Sequence, residues 1–447
     1  MFLSSRRVDF QEEWNGCSAL NMGITSEMTT AKNKLERNQR TSALVAAAAV
    51  AASMSALIVV SDMITTTCKA ITIICDKDKQ LLRSSKVIIR ANGRYICGRG
   101  LPPPEHSVWK RVDKRGDELE FFHFTSLTRE SFDSLVTLCH EYVIQHTIQA
   151  NSKGPPRKGD LARRKVKPRD AIAMTIKYLL SKAEPKDLHV QFGISATTYH
   201  DHIIIGMQAI IRTLSENEKS RVFWDRSVEG MNRAAQRTAQ FLDIPNVVAM
   251  VDGNKLESFN PQDPILQNRD WNGWTRDANC NLVLVWDPFG KIVDAAVNAP
   301  GNFHDSRSAS WCRIYDHIAA IPDNYKVVCD DAFKTKGILQ GKLIKTKEQF
   351  NEGHSRSSYD QTLTHLRQCS EWGNNVLTGV FRRLRTNLPT DNVRRAYIMW
   401  SCILLHNWRT ETVGRNQIQT YFDEIVKSLD AIDENEERDT NGSHTIE

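Results

Sequence analysis

The chain has 447 residues, of which 40% are hydrophobic and 25% charged, a composition typical of a folded protein with room for two or three domains. Its 10 cysteines stand singly, without a C-x-x-C pair or Cys/His zinc spacing, which argues against a disulfide framework and a zinc finger. The formal net charge is +6, an excess that alone favours a polyanionic partner only weakly.

Residues 1–100 show no regular pattern, so we predict no defined domain there. Within them, residues 42–61 form an uncharged, Ala-rich stretch that is long enough to cross a bilayer. Alanine is nearly neutral for membrane insertion, serines interrupt the run, and Asp62 follows closely. We therefore favour a soluble or poorly ordered segment, and the sequence leaves a membrane-spanning helix open. The mixed polar N-terminus predicts no signal peptide.

Residues 118–215 are predicted to form an all-α region. Apolar residues recur at helical spacing from Phe121 to Ile148 and again from Asp170 to Leu180. A short helix from Pro185, a turn at Gly193 and a further helix with Ser195 as N-cap then give the outline of a helix-turn-helix, although a plain helical bundle has the same outline. The basic stretch just before Asp170 is suited to DNA phosphates. It contains Arg163, Arg164, Lys165 and Lys167.

Residues 245–410 are predicted to form an α/β domain. Four short β-branched runs indicate strands, at residues 247–251, 281–286, 292–297 and 325–329. A D-P-F-G turn joins the second and third runs into a hairpin, and helical sequence precedes the fourth, which indicates a mixed sheet with helices on its faces. The following residues, to about Leu429, are predicted to be helical. Residues 430–447 are predicted to be an acidic, disordered tail.

Three carboxylates in separate motifs are the candidate site. Asp252 follows the first strand in M-V-D-G, Asp305 follows the break at Pro300-Gly301, and Glu371 lies in a helical stretch. Unpaired buried acids are costly, so three of them meeting would favour divalent cations, with Mg²⁺ or Mn²⁺ preferred by oxygen ligands. Two such ions can serve phosphodiester chemistry. The alternatives are a helix-capping role for Asp305 and a solvated helix face for Glu371.

Basic residues follow Glu371 along the same helical stretch and are candidates for contacting a phosphate backbone: Arg382, Arg383 and Arg385.

Six motifs, in order, resemble those of the PIF/Harbinger type of DDE transposase and the host nucleases derived from it. They are M-V-D-G-N-K-L-E, N-R-D-W-N-G-W (with Trp271 where the family has Tyr), A-P-G-N-F-H-D-S, V-C-D-D-A-F, L-R-Q-C-S-E-W-G followed by F-R-R-L-R, and L-L-H-N-W. The resemblance covers about residues 121–408. Six ordered motifs are far more specific than any one of them.

This resemblance implies an RNase H-like fold and metal-dependent DNA hydrolysis and strand transfer, with two Mg²⁺ (or Mn²⁺) ions as cofactors. Carried over by residue, the catalytic and metal-binding acids would be Asp252, Asp305 and Glu371. Asp330 would support them, and His304 would either touch the scissile phosphate or orient its loop. The residues after N-G-W and those around Asp330 depart from the family pattern without removing an acid.

Two functional hypotheses follow from the resemblance. The first is an active DDE endonuclease or transposase acting at transposon ends, and the second is a domesticated, catalytically silent protein that binds DNA or other proteins. DNA is the expected partner, and a separate Myb-like DNA-binding protein and a homo-oligomer are further partner hypotheses. A nuclear location is inferred from the substrate and from the basic stretch near Arg163.

Overall fold

The computed structural model describes residues 101–149, 166–239, 244–345, 356–414 and 416–423. The predictions for residues 1–100 with the 42–61 segment, for the acidic tail 430–447, and for Arg163, Arg164 and Lys165 lie outside these ranges. Within the described ranges, none of the helices combines the length and the hydrophobicity that crossing a membrane requires.

The first part of the described chain is helical, as predicted. Its α-helices are α1 (Val108–Arg115), α2 (Glu118–Thr125), α3 (Arg129–Gln149), α4 (Pro168–Leu180), α5 (Pro185–Leu188), α6 (Ala196–Leu214) and α7 (Val228–Arg237). The single helix predicted from Phe121 to Ile148 is in fact two, because Ser126 adopts a left-handed conformation that ends α2.

The predicted helix–turn–capped helix is present. Gly193 has a φ of +65°, a conformation that glycine adopts without strain. The Ser195 side chain accepts a hydrogen bond from the Thr198 backbone N–H and so caps α6.

The second part of the described chain is a mixed α/β structure. Its strands are β1 (Val247–Glu257), β2 (Trp271–Asn272), β3 (Asp277–Trp286), β4 (Ile292–Pro300), β5 (Lys326–Cys329) and β6 (Leu343–Ile344). Its helices are α8 (Pro264–Asp270), α9 (Asp305–Trp311), α10 (Ile314–Ala319), α11 (Arg356–Val380) and α12 (Asn392–Val413).

The described strands form a six-stranded sheet, in which β4 and β2 both pair with β3 and the order continues β3–β1–β5–β6. β3 is antiparallel to β1 and β4, while β5 is parallel to both β1 and β6. The prediction of a mixed sheet flanked by helices is therefore confirmed. The lengths of β1, β3 and β4 were underestimated, and β1 continues past Asp252 as far as Glu257 in unbroken register with β3.

Buried apolar residues cover one face of this sheet, where Val251, Val283 and Val327 pack with α7, α9 and α10. On another side of β3, α11 approaches so closely that a side chain at Gly373 would lie 2.7–2.9 Å from the Trp286 ring. Asn407, in the L-H-N motif, accepts a hydrogen bond from the Ile292 backbone N–H and donates one to its carbonyl. The L-H-N motif therefore fastens α12 to the start of β4.

The helical region and the α/β region make direct contacts. Arg409 of α12 donates a hydrogen bond to the Ser126 carbonyl (3.2 Å), and the hydroxyls of Ser131 and Thr412 are 2.6 Å apart. These contacts place α12 against the first helices as well as against the sheet.

Candidate acidic site

Asp252 and Asp330 follow paired residues of two neighbouring parallel strands. In the register of β1 and β5, Val251 is opposite Cys329, and each is followed by an aspartate. Asp330 lies just beyond the end of β5, whereas Asp252 lies within β1 and is paired with Leu284 of β3. The carboxyl end of a parallel strand pair is a usual position for ligand-binding side chains, and here it brings two acids together.

The Asp252 carboxylate is largely shielded from solvent and surrounded by other acids. Its Oδ1 accepts a hydrogen bond from the Gly253 backbone N–H (2.8 Å), and its Oδ2 accepts one from Asn374 Nδ2 (2.9 Å). Burial raises the pKa of Asp252 to about 7, and the negative charges of three further acids act in the same direction: Asp305, Asp330 and Glu371. These three acids therefore lie within electrostatic range of Asp252.

Asp305 is the first residue of α9, and its carboxylate lies against Gly253. A Cβ atom at position 253 would be 2.6 and 2.7 Å from the two Asp305 oxygens, so any side chain there would displace the Asp305 carboxylate. Because successive strand residues face opposite sides, Asp305 approaches β1 from the side opposite to the Asp252 side chain. Burial raises the pKa of Asp305, Asp330 raises it further, and the positive charges of Lys255 and His304 oppose the change.

Glu371 lies on α11 and is connected to Asp330 through Arg367. Arg367 Nη1 is 3.1 Å from Glu371 Oε1, one helical turn away, and 3.2 Å from Asp330 Oδ1. The same helix carries Asn374, whose amide reaches Asp252. α11 therefore brings an acid, a cation and an amide to the place where the pairing of β1 with β5 ends.

Two observations bear on whether these residues fit divalent cations. Within the described ranges, Asp305 Oδ1 is buried without a hydrogen-bond partner, and like charges destabilise the ionised form of Asp252, which a cation would relieve. In the same ranges, however, no three or more His, Cys, Asp or Glu side chains are arranged as around a metal ion. The acids are thus chemically suited to cations without the close convergence that the sequence analysis anticipated, and Arg367 contacts two of them instead.

The loop before Asp305 is held by asparagines. Asn281, buried in β3, donates hydrogen bonds to the carbonyls of Pro300 (2.9 Å) and Phe303 (2.7 Å). Asn272, in the N-G-W motif, donates one to the Gly301 carbonyl (2.7 Å). A side chain at Gly301 would collide with the backbone carbonyls of Asn279 and Asp270. The N-G-W motif and β3 therefore fix the loop that presents Asp305.

Sequence reasoning missed Arg367, Asn374 and Asn281. The signal for Asn281 was available, since this polar residue directly precedes the apolar run L-V-L-V-W. For Arg367 and Asn374 the signal was their spacing of four and three residues from Glu371. Asn375, four residues beyond Glu371, is exposed.

The basic candidates divide into exposed and buried groups. Lys167, Arg382 and Arg385 are exposed. Arg383 is buried, where its Nε donates to the Tyr178 carbonyl (3.2 Å), its Nη2 donates to the Ala183 carbonyl, and its guanidinium lies over the Tyr178 ring. Arg383 therefore fastens the C-terminal end of α11 to α4 and does not present a free cation to DNA.

His304 is exposed at the N-cap position of α9, without a capping hydrogen bond from its side chain.

The start of α6 is partly covered by α12. His200, in the first turns of α6, contacts Arg394 of α12, and burial together with this neighbouring cation lowers the pKa of His200 to about 4. The first turns of α6 therefore pack partly against α12, which limits the surface that α6 could offer to a DNA groove.

Comparison with known proteins agrees with the motifs. Residues 251–407 match the family model described as DDE superfamily endonuclease, and this range contains all four acids of the site. Searches of curated proteins and of solved structures found no match. Residues 251–407 are therefore similar to DDE superfamily endonucleases, in agreement with the resemblance of the motifs.

Proposed function

We propose that the α/β region is an RNase H-like domain that cuts and joins DNA with divalent cations, as a transposase of the PIF/Harbinger type or a nuclease derived from one. The observation that carries this proposal is the position of Asp252 and Asp330 directly after paired residues of the parallel strands β1 and β5. The family match over residues 251–407 and the order β4–β3–β1–β5–β6 support it.

Within this proposal, Asp252, Asp330 and Glu371 are the main cation-binding acids. Asp330 receives a higher rank than its sequence motif suggested, because it shares the β1/β5 end with Asp252 and an arginine with Glu371. Asp305 remains a candidate ligand and nucleophile-positioning acid, since its buried Oδ1 has no hydrogen-bond partner in the described chain. Because Asp305 approaches β1 from the side of Gly253, opposite to the Asp252 side chain, it is the most peripheral of the four acids.

Two bound Mg²⁺ or Mn²⁺ ions would activate a water molecule and stabilise the departing oxygen of a phosphodiester. The residues of this chain would contribute the carboxylate ligands, with Asn374 fixing the orientation of Asp252 through a 2.9 Å hydrogen bond. The exposed cations Lys167, Arg382 and Arg385 are proposed to contact the DNA backbone. Arg383 is left out of this set because it is buried and bonded to the carbonyl of Tyr178.

DNA is the proposed substrate, and a nucleus is the proposed location because the substrate is there. A separate Myb-like protein is proposed to read the target sequence, since the start of α6 offers Thr197 and Thr198 but no arginine for base contacts. Self-association of the chain is a further partner proposal.

A nicking assay tests the proposal. Supercoiled plasmid is incubated with Mg²⁺ or Mn²⁺ and the wild type, Asp252→Asn, Asp330→Asn or Glu371→Gln, beside a control variant, Asp323→Asn, whose carboxylate is 97% exposed and paired with Lys342. We expect nicking by the wild type and the control and none by the three site variants. Equal nicking by all five proteins would refute the assignment, and a folded wild type without activity would favour the catalytically silent alternative.

A further inference from the structure

Arg367 occupies the position in the acidic site where a cation would be expected. A single nitrogen, Nη1, lies 3.2 Å from Asp330 Oδ1 and 3.1 Å from Glu371 Oε1. Asp330 and Glu371 come from different elements, the end of β5 and the middle of α11, so the guanidinium joins the strand to the helix. These are the same two acids that a metal ion would have to join.

A positive charge at this position has two opposite effects. It offsets the repulsion among the four acids while the site holds no cation, since the charges of Asp305, Asp330 and Glu371 all act on Asp252. It also repels an incoming divalent cation and occupies ligand oxygens of Asp330 and Glu371.

The side chain is accessible to a third partner. Arg367 is 32% exposed, and Asp330 and Glu371 are 41% and 43% exposed. A planar guanidinium binds a phosphate through two parallel hydrogen bonds, a geometry that one nitrogen shared between two carboxylates does not provide. A DNA phosphate that arrives at the site therefore offers Arg367 a better-matched partner than the acids do.

We propose that Arg367 is a positioning residue that couples DNA binding to assembly of the cation site. In the free protein it bridges Asp330 and Glu371, and in the DNA complex it moves to a backbone phosphate and leaves both acids to the divalent cations. This inference rests on the proposed function. Because the coupling is reciprocal, DNA should tighten cation binding and cations should tighten DNA binding to the same degree.

Equilibrium binding of Mn²⁺ to the full chain, followed by the electron paramagnetic resonance signal of free Mn²⁺, tests the coupling without relying on activity. The proteins are the wild type, Arg367→Gln, Arg367→Lys, Asp330→Asn and the control Arg233→Gln. The control breaks an exposed ion pair between Arg233, on α7, and Asp225, just before that helix. Each is titrated alone and with a short DNA duplex, and Mn²⁺ bound by the duplex alone is subtracted. Thermal unfolding shows that each variant is folded.

In the absence of DNA, we expect Arg367→Gln to bind Mn²⁺ about tenfold more tightly than the wild type, because a unit charge a few ångströms from a divalent ion has been removed. Arg367→Lys keeps the charge and should stay close to the wild type, as should Arg233→Gln. DNA should tighten Mn²⁺ binding by the wild type but hardly change it in Arg367→Gln.

Three results would overturn the inference. Unchanged or weaker Mn²⁺ binding by Arg367→Gln would show that the arginine does not compete with cations. An equal effect of DNA on the wild type and on Arg367→Gln would show that the coupling does not pass through Arg367. If no protein binds Mn²⁺ at all, both this inference and the proposed function fail, whereas binding that is lost in Asp330→Asn but insensitive to Arg367 removes the inference alone.

Discussion

Asp270 and Asp252 are both carboxylates held away from bulk water, but their partners differ in kind. Asp270 is 1% exposed and receives hydrogen bonds from Arg269 (2.7 and 2.9 Å) and from Arg395 (2.8 Å), which is itself 1% exposed. Asp252 receives hydrogen bonds only from neutral amides among its described contacts, and its charged neighbours that shift its pKa are acids. Asp270 therefore has its counterions within the fold, whereas the charged groups that act on Asp252 are all negative.

The charge of the neighbouring residues distinguishes structural acids from functional ones in this chain. A buried acid with arginine partners on both oxygens is neutralised within the fold and needs no bound cation. Asp270 is such an acid, and its ion pairs connect α8 to α12. A group of mutually repelling acids stores electrostatic energy that a bound cation can release. Substitutions should therefore have opposite consequences at the two places.

The largest expected effect is the loss of chemistry in Asp330→Asn. Removing a carboxylate from the β1/β5 end should lower the nicking rate about 10³-fold or more, because cation-based charge stabilisation contributes several kcal/mol. The same substitution at Asp305 separates the two rankings of these acids. If Asp305→Asn abolishes nicking while Asp330→Asn retains it, Asp305 is the essential acid and the ranking from strand register is wrong.

Loss of Arg395, one of the two arginine partners of Asp270, should have the next largest effect, and on stability alone. Arg395→Ala leaves Asp270 with fewer cations and opens a buried cavity, so we expect the free energy of unfolding to fall by about 3–5 kcal/mol. Denaturant unfolding measures this. The control Arg313→Ala removes an exposed pair with Asp316 and should cost less than about 1 kcal/mol. Similar losses in the two variants would contradict the structural role of Arg395.

Gly253→Ala probes the contact between β1 and Asp305. The added Cβ would lie 2.6 Å from an Asp305 oxygen, so the carboxylate must move, at a cost of about 1–3 kcal/mol in stability. We expect weaker Mn²⁺ binding as well. Gly273→Ala is the matched control, because nothing lies within 4 Å of the added atom there. Unaltered Mn²⁺ binding in Gly253→Ala would remove Asp305 from the site.

Asp252→Asn should make the cation-free protein more stable at neutral and alkaline pH. The pKa of Asp252 is raised from 3.8 to about 7, so the folded state binds the extra proton more tightly and the wild type loses stability as pH rises between these values. The asparagine does not ionise, and we expect a gain of about 1–3 kcal/mol above pH 7, after allowing for one altered hydrogen bond.

The pH dependence of this gain is its own control. Thermal unfolding in a chelator should show the advantage of Asp252→Asn shrinking as pH falls from about 7 and disappearing near 3.8. An advantage that does not change with pH, or a less stable variant throughout, would show that Asp252 is not destabilised by its neighbours.

Much of the local structure was predictable from the sequence, because it depends on neighbouring residues. The Ser195 cap, the D-P-F-G hairpin turn and the helical position of Glu371 all follow from short-range chemistry. The extension of β1 through D-G-N-K was not predictable, since these residues are typical of a turn and become a strand only by pairing with β3.

The arrangement of the site depends on contacts that no local pattern contains. The rank of Asp330 follows from the parallel pairing of β5 with β1, two strands that are separated in the chain by β2, the β3–β4 hairpin and three helices. Arg383 resembled a DNA-contacting arginine in sequence, yet its partner is the carbonyl of Tyr178, 205 residues earlier. The exposure and pairing of charged residues depend on the tertiary structure. The sequence therefore identified these residues as candidates but did not show which of them are exposed or paired.

The most direct test of the central claim is a crystal structure of the full chain soaked with Mn²⁺ and recorded at a wavelength where manganese scatters anomalously. The account predicts an anomalous peak within about 2.5 Å of carboxylate oxygens of both Asp252 and Asp330, and the loss of that peak in Asp330→Asn. A structure without a manganese peak at the β1/β5 end, or with the peak unchanged in Asp330→Asn, would contradict it.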